Sequence, residues 1–250
     1  MMSDSPISLI NKIHEMDCLE GVKLLDNASV DLVLTDPPYN IGKHMKSRAS
    51  GIHRLRENHF SICEWDNIEE EQWNCHMTDL ATSLLDKLKP GGALIIFMAV
   101  IKVETIKKIF EEAGFYYKTT GTWHKKNPMP RNMNLTFINS TESWLYFTKG
   151  KPSGTFNNNG KAIHDFFETG LTPASEKRFG KHPTQKPLQL MAEFVRLLTN
   201  EGETILDPFC GSGTSLVAAK SLGRDFIGFD LNAEYIDISM KRINEREEKK

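Results

Sequence analysis

Thr204-Ile205-Leu206-Asp207-Pro208-Phe209-Cys210-Gly211-Ser212-Gly213-Thr214 is the stretch whose reading decides the fold. Three β-branched or apolar residues make a short buried strand, and Asp207 ends it. The glycine pair then leads into a helix that runs to about Leu222, with Gly223 just past its end. A strand that feeds a helix through a glycine turn is half of a parallel crossover unit. Phe226 to Phe229 is the next strand and ends at Asp230; Asn232 can cap a last helix that frays over Glu245–Lys250. A phosphate-binding P-loop needs a lysine after Gly213, where Thr214 stands, and a dinucleotide fingerprint needs a third glycine, where Leu216 stands. An acid about 20 residues beyond such a turn accepts ribose hydroxyls, and Asp230 holds that place. Asp207 would repel a phosphate and suits a cationic group. The turn therefore reads as a site for a ligand with a ribose but no pyrophosphate.

Moving outward, Pro187 fits the first position of a helix whose buried face is Leu188, Met191, Phe194, Val195 and Leu198. Far upstream a second strand also ends on an acid. Val30-Asp31-Leu32-Val33-Leu34 is followed by Thr35-Asp36-Pro37-Pro38-Tyr39-Asn40, so the Asp36 carboxylate lies at a strand's C-terminal end, where open α/β sheets bind ligands. Two prolines stiffen the backbone beyond it, and Tyr39 adds an aromatic face. A rigid carboxylate, free carbonyls and a ring suit a flat molecule that bears an amino group.

The remaining chain alternates in the same way. Ser8 to Met16 reads as a strand, Leu19 to Asn27 as a short helix, and Glu69 to Leu88 as a helix stopped by Lys89-Pro90-Gly91-Gly92. Ala93 to Met98 is a strand buried on both faces, and Glu104 to Ala113 a helix closed by Gly114. Phe115 to Lys125 and Ser143 to Lys149 read as an antiparallel pair around a polar, basic loop, and Lys149 to Lys181 as an irregular insertion. Ile41 to about Asp66 has no clear period and reads as a long loop. No internal repeat or low-complexity segment interrupts the pattern.

The 250 residues are 39% hydrophobic and 26% charged, as in an ordinary globular chain. The longest apolar run, Ala93 to Ile101, falls far short of the roughly 20 residues that a membrane span needs. No signal peptide is evident at the N-terminus, which points to the cytoplasm. Cys18, Cys63, Cys75 and Cys210 form no CxxC pair, and His59, Cys63, Cys75 and His76 match no metal-site spacing, so no metal is expected. The net charge of −2 conceals two basic stretches without acids. One holds Lys43, Lys46, Arg48, Arg54 and Arg56; the other, from Phe115 to Thr141, holds Lys118, Lys125, Lys126 and Arg131. Flanking an aromatic site, they point to a polyanionic partner.

Together these motifs resemble the S-adenosylmethionine-dependent amino-methyltransferases of DNA. Asp36-Pro37-Pro38-Tyr39 is similar to that family's catalytic motif, Asp207–Thr214 to its cofactor motif, and Lys181-His182-Pro183-Thr184-Gln185-Lys186-Pro187 to the segment that precedes the cofactor motif in the permuted β class. The order matches that class: catalytic motif, target recognition, cofactor binding. The resemblance runs from Asp17 to about Asp237 and weakens over 41–66 and 150–180. It implies one doubly wound, mostly parallel α/β domain over 1–250, with a seven-stranded-type methyltransferase sheet, an antiparallel edge hairpin, a small target-recognition insertion at 150–181 and a mobile DNA-contacting loop at 41–66.

The resemblance also implies roles. Asp230 would bind the cofactor ribose; Asp17, with Cys18 beside it, would reach the adenine amino group, a role compatible with capping the helix that follows. Asp207, Phe209, Gly211, Gly213 and Thr214 would shape the bed for the methionine part, close to Asp36. Thr184 and Lys186 would hold the methionine carboxylate. The exocyclic amine of adenine or cytosine is a poor nucleophile because its lone pair is delocalised into the ring. Two acceptors on its hydrogens, the Asp36 carboxylate and the Pro37 carbonyl, favour a pyramidal nitrogen with a localised lone pair, while Tyr39 stacks on the ring. A base inside a duplex must be flipped out to reach such a pocket. Lys43, Lys46, Arg48, Arg54, Arg56, Lys125, Lys126 and Arg131 would grip phosphates. The expected product is N6-methyladenine, because family members with Asp at this position are mostly adenine enzymes. A cytosine-N4 enzyme, an RNA or protein amino-methyltransferase and a catalytically silent nucleic-acid-binding module are the alternatives, and homodimers occur among relatives.

Overall fold

The chain is described by a computed structural model over residues 9–41, 68–128 and 137–245. Its frame is a sheet of eight strands: β1 (Lys12–Glu15), β2 (Val30–Thr35), β3 (Leu88–Met98), β4 (Tyr116–Lys125), β5 (Thr141–Thr148), β6 (Phe166–Thr169), β7 (Thr204–Asp207) and β8 (Asp225–Asp230). They lie in the order β1-β8-β7-β2-β3-β5-β4-β6. β5 pairs antiparallel with both β3 and β4, while the other neighbours run parallel, so the antiparallel pair lies toward one edge of a mostly parallel sheet.

Strand alternation divides the core in two. Leu94, Ile96 and Met98 of β3, with Leu145 and Phe147 of β5, point to the face covered by α1 (Cys18–Lys23), α2 (Glu70–Lys87) and α3 (Val103–Glu112). Ala93, Ile95 and Phe97, with Trp144 and Tyr146, point to the face covered by α4 (Leu188–Leu198), α5 (Thr214–Ser221) and α6 (Ala233–Glu245). Helices on both faces are the doubly wound arrangement expected of continuous apolar strands.

The chain begins at the sheet edge with β1, moves to β2 and β3, and returns late to fill the gap with β7 and β8. β7 therefore lies directly beside β2, with Leu32 opposite Ile205 and Val33 opposite Leu206. This is the switch point of the sheet. It brings the C-terminal ends of two strands, and hence Asp36 and Asp207, to one edge although about 170 residues separate them in the chain.

Several boundaries differ from the sequence-based ones. β3 starts at Leu88 rather than Ala93, because Gly91 and Gly92 exchange backbone hydrogen bonds with Lys149 and so continue the sheet through the Pro-Gly-Gly segment. α1 stops at Lys23, before the expected Asn27, and Pro187 is the cap of α4 rather than its first residue. The sheet gains an eighth strand, β6, inside the insertion expected to be irregular; it pairs with β4 from Thr122–Phe166 to Lys125–Thr169. It has only four residues, Phe166-Phe167-Glu168-Thr169, too few to show the alternation that marks a strand. The expected loop 41–66 and the residues Lys43, Lys46, Arg48, Arg54, Arg56 and Arg131 lie outside the described residues, Ile41 excepted. Among the described residues no helix is long and apolar enough to cross a membrane.

Candidate active site

Asp36 leaves the end of β2 and enters a cluster of alternating charge. Its Oδ2 accepts from the Lys186 ammonium, and its Oδ1 accepts from the Tyr39 hydroxyl at 2.5 Å. Lys186, 4% exposed, also lies 3.1 Å from Glu142 Oε2, and Glu142 Oε1 meets the Lys125 ammonium at 2.5 Å. Burial lowers the Lys186 ammonium, but the Asp36 and Glu142 carboxylates outweigh it, and the net shift is upward. Burial likewise opposes ionisation of Glu142, yet Lys186 and Lys125 outweigh it and hold Glu142 at about 2. Asp36 is raised, chiefly by burial, with the Lys186 charge working against the rise.

The turn Pro37-Pro38-Tyr39 is held from α2. The Trp73 indole donates to the Pro38 carbonyl at 3.0 Å, and the Lys102 ammonium sits 4.7 Å from the centre of the Trp73 ring. The bond uses one of the two proline carbonyls and leaves that of Pro37 as the candidate partner for an amine.

The second half of the site is the turn after β7. Asp207 is buried, accepts from Phe209 N at 3.1 Å and from the Ser215 hydroxyl, and is pushed up to about 7, mainly by burial. Gly211 and Gly213 adopt φ of +49° and +70°; a Cβ at Gly211 would meet the His182 ring at 2.9 Å, and one at Gly213 would overlap the Ser239 hydroxyl. Asp230, at the end of β8, accepts from Gly211 N and from Asn232 N, both at 2.8 Å, and so ties the turn to the next strand. Arg242 of α6 is buried and donates to the Ser212 carbonyl and, at 2.9 Å, to the Thr214 hydroxyl. Asp17 caps α1, accepting from Leu19 N at 2.8 Å, and Cys18 behind it is buried, which raises its thiol.

A cleft joins the two halves, with Asp36, Thr184, Lys186, Asp207, Phe209 and Gly211 in its wall. The donor set fits S-adenosylmethionine. Asp207 is a buried carboxyl next to hydroxyl and N–H donors, a suitable partner for a cationic ligand, and a turn closed to any Cβ lets the backbone approach that ligand.

Two expected site residues stand in ion pairs. Lys186 lines the cleft with its ammonium between the Asp36 and Glu142 carboxylates. Lys125, 13% exposed, meets the other oxygen of Glu142. Lys126 stays outside, 59% exposed and 3.1 Å from Glu168. Thr184 is exposed at the cleft wall, with its hydroxyl 3.4 Å from His182 Nδ1. Glu142, Trp73, Arg242 and Ser215 were not singled out from sequence. Glu142 did leave a trace there, as the first acid after the acid-free stretch from Phe115 to Thr141.

Comparison with known proteins agrees with this geometry. Residues 30–241 match the DNA methylase family model N6_N4_Mtase. The chain is 35% identical over 245 residues to the type II methyltransferase M2.DpnII of Streptococcus pneumoniae, covering 93% of this chain and 89% of that one. It is 35% identical over 242 residues to the type II methyltransferase M2.LlaDCHI of Lactococcus lactis subsp. cremoris, covering 90% and 87%. Among solved structures it resembles the M1.HpyAVI–SAM complex, with a TM-score of 0.68, 28% identity and coverage of 93% and 99%. The cytosine-N4-specific PvuII DNA methyltransferase shares the fold, with a TM-score of 0.74 at 19% identity over 92% of this chain and 85% of that one. An Asp-Pro-Pro-Tyr turn facing a glycine turn across a sheet switch point, in a chain matched over most of its length, places the protein in the DNA methylase family of S-adenosylmethionine-dependent N6-adenine and N4-cytosine methyltransferases.

Proposed function

We propose that this DNA methyltransferase acts on the exocyclic N6 amine of a flipped-out adenine. The observation that carries the reading is the shared cleft: Asp36, the acceptor for an amine, and Asp207, Phe209 and Gly211, the bed for the methyl donor, line one cavity. The choice of adenine rests on the aspartate at position 36.

When bound, S-adenosylmethionine supplies an electrophilic methyl group on a sulfonium. The protein's part is placement. Asp36 and the Pro37 carbonyl accept the two amine hydrogens and turn the nitrogen lone pair toward the methyl group, and Tyr39 packs against the ring. As the N–C bond forms and the S–C bond breaks, the nitrogen becomes acidic, and its proton passes to the Asp36 carboxylate, which burial makes a better proton acceptor. Asp36 thus acts first as a hydrogen-bond acceptor and takes the proton only afterwards. Asp17 and Asp230 stand at neighbouring strand ends, where their carboxylates would reach the adenosine part of the cofactor. Lys126 and the basic residues of 41–56 and Arg131 would contact phosphates, and segment 150–181, which contains β6, would read base edges. A cytoplasmic location and pairing of two copies complete the proposal.

The test is mass spectrometry of DNA modified by the purified protein. N6-methyladenine is expected, and N4-methylcytosine alone would overturn the base assignment. Asp36→Ala should abolish transfer and leave S-adenosylmethionine affinity within about threefold.

A further inference from the structure

Both carboxylate oxygens of Asp36 are occupied. The Tyr39 hydroxyl donates to Oδ1 at 2.5 Å, and the Lys186 ammonium to Oδ2. Glu142 touches both of these occupants: its Oε2 is 3.1 Å from the Lys186 ammonium and 3.3 Å from the Tyr39 hydroxyl. Its remaining oxygen is held by Lys125. As a stabilising device this cluster is poorly explained, because buried ion pairs are often no more stable than apolar residues of the same size. As a device that controls Asp36 it has a clear logic. An amine that bonds Oδ1 must share that oxygen with the Tyr39 hydroxyl or displace it, and a displaced hydroxyl is costly unless another acceptor is at hand. Glu142 Oε2 is already within reach.

We propose that Glu142 is a positioning residue for methyl transfer, fixing Lys186 on Asp36 Oδ2 and receiving the Tyr39 hydroxyl when the target amine takes Oδ1. The inference rests on the reading of Asp36 as the amine acceptor. Glu142 itself touches neither the base nor the methyl donor; it acts through Lys186 and Tyr39. The hand-over leaves the number of hydrogen bonds unchanged, so the amine is admitted without an orphaned hydroxyl.

The test uses the full chain, labelled S-adenosylmethionine and unmethylated bacterial genomic DNA, with wild type, Tyr39→Phe, Glu142→Gln and the double variant. Tyr39→Phe alone gives the effect of the hydroxyl on rate and KM, the reference against which the double variant is read. Glu142→Gln is expected to slow the reaction about tenfold or more, with cofactor affinity within about twofold. Adding Tyr39→Phe to Glu142→Gln should then restore several-fold, because no hydroxyl remains to hold Oδ1. A Glu142→Gln enzyme as fast as wild type, or no gain from Tyr39→Phe in that background, overturns the proposal. Should Glu142→Gln fail to bind cofactor, Glu142→Asp decides, because it keeps the charge but draws the carboxylate back by one methylene: a rate at saturation about tenfold lower or more with cofactor affinity within about twofold supports the proposal, and a wild-type rate refutes it. Asp36→Asn in the same assay keeps the two readings apart, since full activity there would remove the acceptor role itself whatever Glu142 does.

Discussion

The Trp73 indole N–H donates to the Pro38 carbonyl at 3.0 Å, so α2 sets the orientation of the turn that follows β2. In the proposed mechanism it is then the Pro37 carbonyl that receives an amine hydrogen. The bond also places a fully buried tryptophan where an exposed helix face could have stood.

Trp73→Phe keeps an aromatic ring beneath Lys102 and removes only the N–H and some volume. The Pro38 carbonyl then loses its partner. We expect a loss of about 1–3 kcal/mol in unfolding free energy, the usual cost of orphaning a buried polar group. Methyl transfer should fall several-fold further than cofactor binding, because the Asp207 side of the cleft is untouched. Urea unfolding, cofactor titration and initial rates on the same preparation check this; equal losses in binding and rate would count against it.

Removing the Lys186 charge tests the buried cluster as a whole. Lys186→Met leaves Asp36 and Glu142 close together with no cation between them. Breaking a buried pair in this way costs about 3–5 kcal/mol. Asp36, already raised by burial against the pull of Lys186, then favours the protonated form still more, with a folded-state pKa above that of the unfolded chain, while Glu142 keeps Lys125. The folded variant therefore binds more protons, and its stability should recover as the pH is lowered from 8 toward 5. Unfolding midpoints across that range should rise on acidification in Lys186→Met relative to wild type, and a constant offset between the two would sink the idea.

These two residues show what could be read in the sequence and what could not. Val30–Leu34 and Thr204–Leu206 are short β-branched and apolar runs followed closely by Asp36 and Asp207, so strand, ligand edge and site carboxylates are legible without coordinates. The caps were legible as well: Asn232 accepts from Glu234 N at 2.9 Å, and Asp17 caps α1. Glu142 and Trp73 were not, because one looks like a strand's outward acid and the other like part of a helix's apolar stripe. Their roles come from long-range contacts, across 103 residues for Tyr39 to Glu142 and 35 for Trp73 to Pro38, which no local period encodes. The ion pairs of Lys125 and Lys186 are hidden in the sequence for the same reason. A basic residue in sequence carries no mark of whether a carboxylate on another strand has claimed it. β6 is not legible because four residues, two adjacent phenylalanines among them, are too few for a period-2 pattern.

The glycine turn makes a separate prediction about space rather than charge. Gly213 caps α5 at φ +70°, and a Cβ there would overlap the Ser239 hydroxyl, whereas Gly202 has φ +79° with nothing within 4 Å of its Cβ position. Gly202→Ala should cost only the backbone strain, about 1 kcal/mol. Gly213→Ala should cost about 3 kcal/mol or more and weaken cofactor binding at least tenfold, since the turn must shift away from α6. Thermal melting and cofactor titration of the pair give the comparison, and equal losses would show that strain alone governs the turn.

Asp207 makes the cofactor site sensitive to pH. Burial moves its carboxyl from the usual 3.8 to about 7, despite hydrogen bonds from Ser215 and Phe209 N that favour the charged form. In the absence of ligand the folded protein thus holds a proton on Asp207 that the unfolded chain has already released. Stability from this group is full below about pH 4 and is lost as the pH rises toward 7, by on the order of 4 kcal/mol if no other group compensates. A cationic ligand reverses the preference, because it favours the carboxylate. Cofactor affinity should therefore rise with pH through about 7 and level off above it. Asp207→Asn, which keeps the shape and the Ser215 contact but cannot ionise, should flatten both curves: unfolding free energy between pH 4 and 7, and cofactor affinity between pH 6 and 8. Its affinity should fall below wild type chiefly at the upper end of that range. A parallel pH dependence of binding in wild type and Asp207→Asn would show that another group carries the titration.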